Sequence, residues 1–109
     1  MSGLFKVGMV ALKAAEAVTI ASGVATFTQG VVSLAGEGSA ADDLDTLTLD
    51  SSVNRETYLP CVVLVADSDT ITVKHGTGNI LLNAAGDFSL TSSKALLLWF
   101  DGTNYHDLA

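Results

Sequence analysis

The chain has 109 residues, enough for one hydrophobic core and too few for two. Twelve Asp and Glu against five Lys and Arg give a formal charge of −7, which argues against nucleic acid as a partner, because neutralising phosphates takes cations. Hydrophobic residues make up 49% of the chain but aromatics only 6%, so the core is expected to be Ala, Val, Leu and Ile, with Phe27, Phe88, Trp99 and Phe100 as its few bulky fillers.

In chain order, Met1 to Glu16 reads either as a helix or as an extended arm. Leu4, Phe5, Val7, Val10, Ala11 and Ala14 make one helical stripe, while Gly3 and Gly8 weaken it. Lys6, Lys13 and Glu16 interrupt the apolar stretch short of the roughly twenty residues of a membrane span. They also place charge where a secretory signal needs an apolar segment, so a soluble chain is expected. The division is thus an arm, 1–16, and a single β-domain, 17–109. Val18-Thr19-Ile20 and Val24 to Thr28 alternate around Ser22-Gly23, the signature of a hairpin. Val31 to Leu34 and Leu47-Thr48-Leu49 read as further short strands, separated by Gly36-Glu37-Gly38-Ser39 and an acidic stretch.

Beyond Pro60 the pattern is monotonous. The apolar run Cys61 to Ala66 predicts a strand buried on both faces. Asp67-Ser68-Asp69 turns the chain into Thr70 to Lys74, where alternation points Ile71 and Val73 inward. His75-Gly76-Thr77-Gly78 reverses it before Asn79 to Leu82, and Gly86-Asp87 turns it again into Phe88 to Thr91. After Ser92-Ser93 comes the strongest strand, Ala95 to Phe100, and Asp101-Gly102 is a tight turn leading to Asn104–Leu108. Strands this short, about ten residues apart, predict an all-β fold, a small antiparallel β-sandwich or barrel. So thin a core often needs an oligomeric interface to bury enough apolar area, and a trimer is expected.

None of the candidate chemical motifs has the context its chemistry requires. The acids from Glu37 to Asp69 (Asp42, Asp43, Asp45, Asp50, Glu56 and Asp67 among them) read as a solvated, mutually repulsive loop region. The run Asp42-Asp43-Leu44-Asp45 lacks the alternate-residue spacing and the Gly of a calcium loop. Lys74-His75-Gly76-Thr77-Gly78-Asn79 has the glycines of a phosphate cradle but is followed by an apolar strand, which makes it a turn. His75, His106 and Cys61 have no zinc-ligand spacing, Cys61 reads as a buried inert thiol, and no Ser sits in a nucleophile elbow. No catalytic, metal or cofactor residues are therefore expected.

Three segments in order carry a resemblance. Ala41 to Leu47 (ADDLDTL), Ile71 to Ile80 (ITVKHGTGNI) and Leu96 to Tyr105 (LLLWFDGTNY) resemble a β-module of tailed-bacteriophage virion proteins, found in capsid decoration (cement) proteins and tail-fibre segments. Tyr105 stands where the module is expected to carry Trp, and keeping an aromatic should preserve the packing. The resemblance implies a non-enzymatic homotrimer. A chain opening on its own Met and ending just after Leu108 favours a stand-alone decoration protein on the head exterior, made in the host cytoplasm, with the major capsid protein as partner and no nucleic acid, membrane or cofactor. In that role the arm contacts the capsid through Leu4, Phe5, Val7, Met9 and Val10. The alternative is a tail-fibre or receptor-binding tip, for which Tyr58, Trp99 or Tyr105 would stack on sugar.

Overall fold

Residues 15–38, 40–53 and 61–108 are described by a computed structural model of the chain. Runs of two to six residues, most alternating and several rich in Val, Ile and Thr, are too short for helices and become strands. Six of them form one sheet in the order β1 (Glu16–Thr19), β3 (Val31–Ala35), β6 (Cys61–Ala66), β10 (Ala95–Phe100), β11 (Tyr105–Asp107) and β8 (Ile80–Leu81). A two-stranded sheet joins β2 (Val24–Phe27) to β5 (Thr46–Leu49), and a three-stranded sheet runs β4 (Ala41–Leu44), β7 (Thr70–Val73), β9 (Phe88–Leu90). The inward residues of all three sheets meet in one core, so the fold is an all-β, sandwich-like globule.

Every connection except β10–β11 carries the chain from one sheet to another. From β3 to β7 it passes through the six-stranded, three-stranded, two-stranded, six-stranded and three-stranded sheets in turn. Strands one circuit apart then lie side by side, as β3 on β6 and β4 on β7 do. Such neighbours run the same way, and five of the eight strand pairings among the described residues are parallel. The expected antiparallel arrangement gives way to two mixed sheets and one parallel pair, because consecutive strands seldom pair. The predicted hairpin at Ser22-Gly23 shows how. Both residues have positive φ, 51° and 80°, and Ala21 and Val24 exchange two backbone hydrogen bonds across them. The strands on either side then diverge, β1 into the six-stranded sheet and β2 into the two-stranded one.

Corners leave backbone N–H groups without a ladder partner, and such groups must be satisfied. Carboxylates do this here. Glu16 accepts from the Thr28 and Gln29 N–H groups and from the Thr28 hydroxyl. Glu37 accepts from Ser22 N–H, Asp42 from Glu37 N–H, and Asp69 from Gly36 N–H. The acidic stretch is therefore not a loose, repulsive loop. Asp42 and Asp43 lie within β4, and several of the acids fasten one corner to another.

The core takes one residue in two from each long strand. Leu64 and Val32, Leu96 and Leu64, and Leu98 and Val62 are register partners, all buried. Ile71 and Val73 point inward as expected, and Phe27 is buried with them. Tyr105 is also buried, its ring 4.7 Å from that of Phe100 and 6.3 Å from that of Phe27, so the core accepts Tyr at this position. Trp99 departs from expectation: it faces outward, 38% exposed. Cys61 to Ala66 departs too, since only Val62, Leu64 and Ala66 are buried while Cys61, Val63 and Val65 are half-covered on the other face.

Of the proposed arm, the described residues include only Ala15 and Glu16, and Glu16 opens β1 rather than closing the arm. Leu4, Phe5, Val7, Met9 and Val10 lie outside the described residues.

Candidate functional site: the outer face of the six-stranded sheet

Strand register defines the outer face of the large sheet row by row. Cys61 lies beside Trp99 and Trp99 beside His106; Val31 beside Val63 and Val63 beside Leu97; Ser33 beside Val65 and Val65 beside Ala95. On β1, Ala17 pairs with Ser33 and Thr19 with Ala35. These residues alternate with the buried ones, so their side chains stand away from the core. Leu97 is 41% exposed, and Leu108, whose N–H donates to the Leu97 carbonyl, is 51% exposed. None of the strand residues on this face is Asp, Glu, Lys or Arg, on a chain with seventeen such side chains.

One rim of the face is polar. The His106 ring stacks on Trp99 with centroids 5.2 Å apart, and its Nε2 lies 2.7 Å from Asp101 Oδ2. Asp101 also accepts the Thr103 and Asn104 N–H groups through Oδ1, which shapes the β10–β11 turn. The Asn104 N–H, the His106 ring and the Thr103 N–H together hold the Asp101 carboxyl at about 2, below its ordinary 3.8. The imidazole is thereby oriented against the indole, at the edge of the apolar rows.

The remaining sequence candidates are fully occupied with structure. His75 Nδ1 accepts from Leu82 N–H, while the His75 N–H donates to Asp87. Asp87 pairs with Lys74 at 3.0 Å, and the His75 N–H followed by the Lys74 ammonium lowers its carboxyl. Three backbone N–H groups of the glycine loop are also spoken for, with His75 bonded to Asp87, Gly76 to Ile80 and Asn79 to Asp45, so they do not converge on an anion. A Cβ on Gly78 would run into the Asp45 carbonyl oxygen and the Thr46 hydroxyl, so Gly is needed there for close approach. His75, His106 and Cys61 are not brought together, and no three His, Cys, Asp or Glu side chains converge among the described residues.

Sequence reasoning placed the outward half of Cys61–Ala66, and Trp99, in the core; the signal of a second role was that both faces of each strand are apolar. The chain matches no protein-family model, no curated protein and no solved structure.

Proposed function

We propose that this chain is a non-enzymatic structural protein of a tailed-phage virion, a homotrimeric decoration protein that binds the outside of the head and bridges neighbouring major capsid proteins. The observation that carries the reading is the apolar, charge-free sheet face on a chain of net charge −7. A contiguous apolar patch of this kind is the mark of an interaction surface, and building it on a sheet makes it rigid. The ordered resemblance of Ala41–Leu47, Ile71–Ile80 and Leu96–Tyr105 to virion modules supplies the setting. Carboxylate-bolted corners suit a part whose work is to hold its shape. The fifteen residues ahead of β1 reach at most about 50 Å when extended, far enough for Leu4, Phe5, Val7, Met9 and Val10 to contact a shell subunit beside the domain.

The test is cosedimentation of the purified full chain with purified heads and, separately, purified tails of the phage that encodes it. Saturable binding to heads and none to tails is expected. The exposed Trp99 favours a second reading, a receptor-binding tail tip, and binding to tails alone would select it. Tyr105 is buried and offers no sugar platform, and Tyr58 lies outside the described residues.

A further inference from the structure

Residues 1–14 differ in character from everything that follows them. They carry Lys6 and Lys13 and no Asp or Glu, and seven of the fourteen are Met, Leu, Phe or Val. Residues 15–109 hold the other three cations against all twelve acids, a charge of −9. We infer that in the free chain residues 1–14 fold back over the outer face of the six-stranded sheet and cover it, until a shell subunit takes their place. The covering stands on the observations below; only the replacement rests on the virion reading above.

The point of entry is the first of these observations. Glu16 lies beside Val32, Val32 beside Leu64 and Leu64 beside Leu96. Ala15, one residue earlier and exposed, is therefore level with the outward row Val31, Val63, Leu97. The next outward row in the direction the chain comes from is Cys61, Trp99, His106. The arm thus joins the sheet at the end of the face where Leu97 and Trp99 stand, and with Leu108 these are the exposed large hydrophobic residues among the described ones. Reach agrees with this. Strand β10 lies three spacings from β1, about 14 Å, and Val10, five residues before Ala15, extends at most about 17 Å. Phe5, ten residues before Ala15, can pass beyond Trp99 to the rim.

Size and charge favour this occupant over a second protein. Strands β3, β6, β10 and β11, about 4.8 Å apart and up to six residues long, present a footprint on the order of 400 Å². A stable interface between two proteins takes about 800 Å² from each partner, so the face is the size of a single segment. A second copy would bring a charge of −7 to it, whereas the arm brings two lysines to a body of −9. The strand residues of the face carry no charge, while Asp67 and Asp101 follow directly on β6 and β10 at its opposite ends. Lysine stems can lie along the apolar rows and hold their ammonium groups out at such a rim.

The decisive experiment uses two side chains that the sequence carries once each, Cys61 and Trp99, neighbours on this face. Phe5→Cys and Val10→Cys are made one at a time in the full chain and oxidised with diamide at micromolar concentration. Non-reducing gels and a count of remaining thiols read the products. At least one variant is expected to give a one-chain product that has lost both thiols, the disulfide joining the arm to Cys61. A two-chain product would give the face to a second copy and overturn the assignment, as would two free thiols in both variants. Trp99 fluorescence reads the cover without a cross-link. In the double variant Phe5→Asp, Val10→Asp its emission should shift to the red and its quenching by acrylamide should rise several-fold, with circular dichroism verifying that the β-domain stays folded. Equal emission and quenching in the double variant and the unmodified protein would also overturn the covering. Cosedimentation with heads separates the two ideas: the disulfide-locked chain should lose binding that reduction restores, and a locked chain that binds as well as the reduced one would overturn the replacement. If neither form binds heads, the virion role fails and the covering stands.

Discussion

Asn79 bonds to strands or corners of different sheets through both its backbone and its amide, and truncating the amide tests whether this fold is held at its corners. Its amide stands in for a strand: Oδ1 accepts the Leu47 N–H at 2.9 Å and Nδ2 donates to the Leu47 carbonyl at 2.8 Å. That closes the free side of β5 in the two-stranded sheet. Its backbone N–H donates to the Asp45 carbonyl where β4 passes into β5, and its carbonyl accepts from Tyr105 N–H at the start of β11. In Asn79→Ala the two main-chain bonds remain and the two amide bonds go. Each is worth about 1 kcal/mol net, and the Leu47 groups left partly buried without partners add more, giving about 2–4 kcal/mol in all. At roughly 4 °C per kcal/mol for a domain of this length, the melting temperature should fall by about 8–16 °C. Asn79→Asp retains the acceptor for Leu47 N–H but sets a carboxylate against the Leu47 carbonyl, so it should not recover the loss. Thermal and urea unfolding followed by circular dichroism read both variants. A loss below about 1 kcal/mol in Asn79→Ala would refute the view that the amide completes the sheet.

Gly78→Ala should destabilise by more than about 2 kcal/mol, because the new methyl meets the Asp45 backbone carbonyl rather than a side chain that can move aside; urea titration reads it. Leu64→Ala, at a fully buried position between Val32 and Leu96, should cost about 2–5 kcal/mol by the same titration. Asp101 has a folded pKa of about 2 against an ordinary 3.8, so its contribution to stability is complete above 3.8 and is lost as pH falls through about 2. The urea midpoint of the unmodified protein should therefore drop between pH 4 and 2, and Asp101→Asn should flatten part of that slope. Lys74 is shifted upward, first by its hydrogen bond to Asp87, so its contribution is complete below 10.5 and fades as pH rises through its folded value. Lys74→Met should remove that alkaline loss.

Strand positions were legible in the sequence because alternation and turn dipeptides are local. Ile71 and Val73, Phe88 and Leu90, and the Asp101-Gly102 turn needed no information from elsewhere in the chain. Pairing was not legible, since period 2 tells which face a residue occupies and says nothing of which strand lies beside it. The Ser22-Gly23 turn illustrates the gap, for its two-residue chemistry is that of a hairpin while its flanking strands belong to different sheets. The work of the acids was hidden for a related reason. Glu37 serves Ser22 and Asp69 serves Gly36, 15 and 33 residues away, so composition alone made them look like solvated charge. The candidate site was half legible. Cys61–Ala66 and Ala95–Phe100 announce two apolar faces each, but only the structure separates the face that fills the core from the face turned outward.

The central claim is that the chain works by attaching, as a trimer, to the outside of a phage head. Its most direct test is the number of copies bound per shell subunit when heads are saturated with purified protein, counted by quantitative gel densitometry of the sedimented particles. A trimer centred on a threefold position meets three shell subunits, so the account predicts about one copy per major capsid protein. Heads that sediment without the protein, or that take it up without reaching a plateau, would contradict it.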